Sequence, residues 1–71
     1  MTVERLNEIA TRTNQIRIEY RMHEVDSVKL AEELLDFSGE LTSVDINYKY
    51  FWLNQSVLQD IHDVIDELLR K

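Results

Sequence analysis

The chain has 71 residues, no cysteine, no proline and a formal net charge of −6. Without cysteine, disulfides and thiolate-ligated zinc or iron–sulfur sites are excluded. The sequence has no positively charged leader with an apolar core and no apolar run of about 18 residues, so we expect a soluble, cytoplasmic protein that makes no membrane contact. We expect a single domain over 1–71, small enough to need regular helix packing or a partner chain.

Charge is unevenly distributed along the chain. Residues 1–22 carry four arginines and three glutamates, whereas residues 23–47 carry one lysine and seven acids. Nucleic-acid affinity comes mainly from basic side chains that neutralise phosphates. The acidic middle therefore argues against nucleic-acid binding and favours a protein partner with a basic surface.

The first half of the chain has a sustained helical pattern. Thr2 suits an N-cap, and Gly39, the only glycine, suits the left-handed position after a helix C-terminus. The spacing predicts one helix over about 3–38, followed by a turn at 39–42. The seam residues recur at alternating steps of three and four: Leu6, Ile9, Thr13, Ile16, Tyr20, His23, Ser27, Leu30, Leu34 and Phe37.

A second helical pattern fills the rest of the chain and predicts a helix over about 43–70. Thr42 or Ser43 would cap its start, and Arg70 and Lys71 would lie at its negative end. Its seam residues are Val44, Tyr48, Phe51, Gln55, Leu58, His62, Ile65 and Leu69.

Two other layouts remain open. Residues 16–22 and 44–50 alternate apolar and polar side chains, a period typical of strands, so an α-β-α-β-α order is an alternative. A break near Asp26–Ser27 would instead fold the first helix back as a monomeric three-helix bundle. We favour an all-α antiparallel helical hairpin of two long helices, because no glycine or proline marks the ends of the proposed strands.

The hairpin leaves apolar side chains uncovered. Its first helix projects beyond the second, and its second helix carries apolar residues on several sides. Exposure of several large apolar side chains is costly, so we expect a homo-oligomer, either a dimer that forms a four-helix bundle or a larger assembly. The expected oligomer interface comprises Val3, Leu6, Ile9, Phe51 and Leu53.

Two acidic sets raise the question of a metal. Glu32, Glu33 and Asp36 share one helix face, and Asp60 and Asp63 share another. They resemble the acids with which all-α MazG-type nucleotide pyrophosphohydrolases hold magnesium, which implies a metal-dependent hydrolase as an alternative function. In the hairpin, whose turn near Glu40–Leu41 places Arg21 opposite Asp60 and Arg17 near Asp63, the two sets do not converge. We therefore predict a solvated acidic face, with no metal, no cofactor and no catalytic residue.

The aromatic cluster at 48–52 indicates a binding surface. Consecutive aromatic residues cannot all face one neighbour on a helix, and tyrosine and tryptophan are common at interface hot spots. Together with the acids around the turn they define a predicted docking surface for a protein partner: Glu32, Glu33, Asp36, Glu40, Asp45, Tyr50 and Trp52.

Residues 34–55, LLDFSGELTSVDINYKYFWLNQ, resemble the turn region of small acidic helical-hairpin proteins of tailed phages. The resemblance implies a phage or prophage protein that acts by binding, as an inhibitor or adaptor, and not as an enzyme. The hairpin is also similar to Rop-like proteins, whose hairpins dimerise and bind RNA. A Rop-like function would use the arginines of residues 1–22.

Overall fold

The computed structural model describes residues 1–70, which form three helices: α1 (Val3–Met22), α2 (Ser27–Thr42) and α3 (Phe51–Leu69). Since residues 1–70 contain no strand, the all-α class is confirmed, and the strand alternative for 16–22 and 44–50 is wrong. Lys71, expected at the end of the last helix, lies outside the described residues. The two-helix hairpin is replaced by the three-helix alternative.

The predicted continuous helix over about 3–38 is interrupted at residues 23–26. His23 has an extended backbone, with φ −138° and ψ 159°, and ends α1. The Asp26 carboxylate then accepts a hydrogen bond from the Lys29 amide at 3.1 Å and caps the start of α2. This cap satisfies a free amide of the new helix, so the break carries little cost and lets α1 fold back along α2.

The predicted turn at 39–42 lies inside α2. Gly39 has a helical backbone, and no residue of the described chain has a positive φ. Instead, the hydroxyls of Thr42 and Ser43 donate to the carbonyls of Gly39 and Glu40, at 3.1 and 2.8 Å. These bonds satisfy carbonyls of the last turn, so α2 ends at Thr42 without a glycine in the left-handed conformation.

Residues 43–50 form an irregular connection, whereas the prediction placed a helix from about 43. The Asp45 carboxylate accepts from the Asn47 amide at 2.8 Å, and the Asp45 carbonyl accepts from the Tyr48 amide at 2.9 Å. Such local bonds compete with helix formation. Helix α3 therefore begins later than predicted, at Phe51, and ends close to the predicted position, at Leu69.

Ion pairs define how α1 packs on α2. The Arg5 guanidinium binds the Glu40 carboxylate, and the Arg12 guanidinium binds Glu33, with closest N–O distances of 2.6 Å in both pairs. Residue numbers rise along α1 as they fall along α2. The two helices are therefore antiparallel.

The packing of α1 on α3 differs from the predicted hairpin register. Arg17 lies 3.9 Å from Asp60, and Arg21 lies 3.5 Å from Glu67, so the numbers rise together and these helices are parallel. The antiparallel pairing of Arg21 with Asp60 and of Arg17 with Asp63 is wrong, because α2 intervenes and reverses the chain. The arginines nevertheless face acids of α3, as the charge pattern predicted.

The core runs along the axis between the three helices. Leu6 and Ile9 are fully buried within the single chain, so they are not free for the oligomer interface predicted for them, while Val3 is half-buried. They became covered because α1 folded back. The other fully buried apolar residues are Ile16, Leu34, Leu41, Ile61, Val64 and Leu68.

No helix within residues 1–70 is long and apolar enough to cross a bilayer.

Candidate protein-binding face

Two acids of the predicted docking surface, both half-buried, pair with arginines of α1. The Glu33 carboxylate receives hydrogen bonds from Arg12 Nε at 2.6 Å and Nη2 at 3.0 Å, and Glu40 receives equivalent bonds from Arg5. These bonds lower the pKa of both carboxyls below the usual range. Since Glu33 and Glu40 are satisfied within the chain, we leave them out of the candidate site.

Glu32 and Asp36 remain exposed on the outer side of α2, and no cation lies within ion-pair distance of either among residues 1–70. They lie one turn apart, on the side of α2 that faces away from the core. These two acids of the predicted surface are therefore available to a partner.

The remaining predicted docking residues lie near the start of α3. Asp45 is exposed but holds its own turn, and Tyr50 is half-buried with the Lys49 ammonium 5.5 Å from its ring centroid. Trp52 is 82% exposed and contacts Phe51 edge to face, with a centroid distance of 5.4 Å. The predicted surface is thus split between the outer side of α2 and this end of the bundle.

Contacts between α2 and α3 set the register of a groove that the sequence did not reveal. Ser38 Oγ lies 3.4 Å from His62 Nε2, and Asn54 Nδ2 donates to the Leu41 carbonyl at 3.0 Å. The helices therefore run antiparallel. Averaged over these two contacts, the register brings Val28 towards the level of Leu69, Leu35 towards that of His62, and Gly39 towards that of Leu58.

Exposed apolar residues follow this groove on both helices. On α2, Val28 is 62% and Leu35 is 54% exposed, and on α3 Leu69 is 60% exposed. Leu35 lies about 200° around α2 from Glu33, which faces α1, so Leu35 is on the side of α3. We call this groove, together with the adjoining outer side of α2, the α2–α3 face: Val28, Glu32, Leu35, Asp36, Gly39, Leu58, His62 and Leu69.

Val28, Leu35 and Leu69 were not among the predicted site residues. A usable signal existed for the first two, because Val28 and Leu35 are seven residues apart and so share one helix face. Neither Val28 nor Leu35 lies on the predicted seam of the first helix. Leu53, expected in an oligomer interface, is 47% exposed, whereas Phe51 is half-buried.

The acidic sets do not form a metal site. Within residues 1–70, no three histidine, aspartate or glutamate side chains lie close enough to hold a metal ion. Glu33 pairs with Arg12, and Asp60 pairs with Arg17, on different helix contacts. The MazG-type arrangement therefore finds no support in the geometry.

The arginines of α1 are engaged within the chain. Each of the four lies within 4.0 Å of a carboxylate, and their main partners are acids of α2 and α3. A Rop-like RNA-binding surface needs cations that are free to neutralise phosphates. This arrangement weakens the Rop-like alternative.

Comparison with protein-family models, curated proteins and solved structures finds no match to this chain.

Proposed function

We propose that this protein is a non-catalytic protein-interaction module, of the inhibitor or adaptor type, that binds a partner with a basic surface through the α2–α3 face. The observation that carries the proposal is the exposure of Val28 and Leu35 beside Glu32 and Asp36, which have no cationic partner in the described chain. A cytoplasmic location and a phage or prophage origin belong to the same proposal. They rest on composition and on the resemblance of residues 34–55.

Apolar side chains surrounded by charge are typical of surfaces that bind proteins. Isolated exposed apolar residues need no explanation, but Val28 and Leu35 lie on one side of α2, and Leu69 lies across the groove. Burial of these side chains supplies affinity, and the acids select a partner of opposite charge. The net charge of −6 also speeds the approach of a basic partner.

A matched pair of charge reversals tests this function. The docking variant is Glu32→Lys with Asp36→Lys, and the control is Glu4→Lys with Glu24→Lys, which changes the net charge equally at exposed sites away from the α2–α3 face. Proteins captured from a cell lysate on each immobilised variant are quantified by mass spectrometry. We expect basic proteins that the unmodified chain and the control both retain and the docking variant loses. Equal capture by all three would contradict the proposal.

Self-association is a second candidate, since the same apolar residues would cover one another in a dimer of three-helix units. It would replace the predicted four-helix bundle of hairpins, in which Leu6 and Ile9 met the partner copy. Sedimentation equilibrium over a roughly hundredfold range of concentration tests it. A mass that rises in the unmodified chain but not in Leu35→Asp would support the dimer, and a constant monomer mass would exclude it.

A further inference from the structure

Gly39 has no structural explanation within the single chain. It lies inside α2, is exposed, and has no positive φ, so neither a turn nor a left-handed backbone requires glycine there. A Cβ built on Gly39 would meet no atom within 4 Å, so no neighbour in the chain requires the space. Glycine is a poor helix former compared with alanine, so its presence weakens α2.

The position of Gly39 gives it a second reason. Leu35 precedes it by one turn on the same side of α2, and the register places Leu58 of α3 across the groove. A residue without a side chain lets the backbone of a ligand come closer to a helix axis than any other residue allows. Gly39 thus forms a notch in the ridge of α2 that borders the exposed apolar groove.

We propose that the α2–α3 face binds an amphipathic helix of another protein, and that this helix crosses α2 at Gly39. The inference rests on the proposed function and specifies its partner. The apolar stripe of the bound helix lies over Leu35 and, further along the groove, over Val28 and Leu69, which lie at one level on opposite sides of it. Lysine or arginine residues along its edge lie beside Glu32 and Asp36.

Charge favours such a helix over a second copy of this chain. A second copy would bring another Glu32 and Asp36 to the same interface, at a net charge of −6 for each chain. The four arginines of α1 are held by acids of their own chain, so they do not compensate this repulsion. A basic helix supplies the missing charge and the apolar stripe together.

The experiment selects ligands without assuming their sequence. A displayed library of helix-forming peptides, with a fixed apolar stripe and randomised flanking positions, is selected on the full chain. We expect enrichment of lysine and arginine on one flank and saturable binding of the synthesised winners, measured by fluorescence anisotropy. Failure to enrich any binder, or enrichment of neutral or acidic flanks, would overturn the inference.

Substitutions at Gly39 then locate the crossing point. Gly39→Leu is expected to weaken peptide binding at least tenfold, and Gly39→Ala less, while Thr11→Leu, at an exposed site on α1, leaves binding unchanged. Because a Cβ at Gly39 meets nothing, Gly39→Ala should unfold at a higher temperature than the parent, so weaker binding does not reflect misfolding. Unchanged binding by both Gly39 variants would overturn the crossing at Gly39.

The failure of this inference differs from failure of the proposed function. If Glu32→Lys with Asp36→Lys abolishes binding while Gly39→Leu leaves it intact, the α2–α3 face binds basic partners but not by a helix at Gly39. If neither affects binding, both proposals fail. A chain that dimerises through Leu35 and excludes every peptide would assign the face to a second copy and overturn the helix proposal.

Discussion

Replacing Ile9 tests whether the single chain closes its own core. Ile9 is fully buried, whereas Ile18 on the same helix is 58% exposed, so Ile9→Val and Ile18→Val delete the same methyl group in opposite environments. Loss of one buried methyl group costs about 0.5–1.5 kcal/mol, and an exposed one stays within about 0.5 kcal/mol. A chain of 71 residues has a total stability of about 3.5–10 kcal/mol, so the loss at Ile9 is measurable without unfolding the protein.

Urea unfolding followed by circular dichroism gives both free energies of unfolding. The measurement is repeated at two protein concentrations about a hundredfold apart, because interactions between copies make stability depend on concentration. We expect the cost of Ile9→Val to exceed that of Ile18→Val and to be the same at both concentrations. Equal costs at the two positions, or a cost at Ile9 that changes with concentration, would refute the intramolecular core.

Three further predictions concern the contacts that join the helices. Arg12→Met and Glu33→Gln should show a coupling of about 1 kcal/mol in a double-mutant cycle. Because Arg12 lowers the pKa of Glu33, this contribution is complete above the unfolded pKa of about 4.3 and is lost as pH falls through the lower folded value. The coupling measured by urea unfolding should therefore be smaller at acidic pH than at neutral pH. Asn54→Asp should cost more than about 3 kcal/mol by calorimetry, since it buries a charge and removes the donor to the Leu41 carbonyl, whereas Asn54→Leu should cost only about 1 kcal/mol. Asp26→Ala should cost about 1 kcal/mol and lower Tm by about 4–8 °C, and an unchanged Tm would contradict the cap.

The buried face of α1 was predictable from periodicity alone. The seam residues Leu6, Ile9, Thr13, Ile16 and Tyr20 are all buried in the structure. Regular steps of three and four place side chains on one face whatever the helix packs against. The partner of that face was not predictable, because the pattern is the same for a second copy and for the chain itself.

The break between α1 and α2 was an alternative and not the favoured prediction, and no glycine or proline marks it. Ser27 fits the helical seam, and Asp26 acts as an N-cap only if the chain bends there. Both conformations satisfy local preferences. Tertiary packing decides between them, since folding back buries Leu6 and Ile9, at roughly 1.5–3 kcal/mol for each large side chain.

Gly39 misled the prediction for a related reason. Glycine favours helix ends because it adopts a left-handed backbone at no cost, but it also accepts a helical one. The hydroxyls of Thr42 and Ser43 end α2 instead, through bonds to carbonyls of its last turn. The predicted hairpin register depended on a turn at 39–42. Because no turn lies there, the pairing predicted between α1 and α3 was antiparallel, whereas the two helices are parallel.

The candidate site was predictable only in part. The cluster of acids in residues 32–40 was visible in the sequence. Which of these acids remain free depends on the side of α2 against which α1 packs. Glu33 and Glu40 lie beside α1 and pair with its arginines, whereas Glu32 and Asp36 lie on the exposed outer side of α2. The apolar groove is formed by two segments that lie far apart in the chain, so its register could not be read from either one.

Chemical-shift mapping of the isotope-labelled chain with the selected basic peptide tests the central claim most directly. A bound ligand perturbs the amides nearest to it, and the α2–α3 face extends over residues 28–39 and 58–69. We predict that the largest shifts fall within these two ranges, with a maximum at Gly39, and that Ile18 and Met22 on the outer side of α1 stay unchanged. Shifts concentrated on α1 or on residues 43–50 would contradict the assignment of this face as the binding surface.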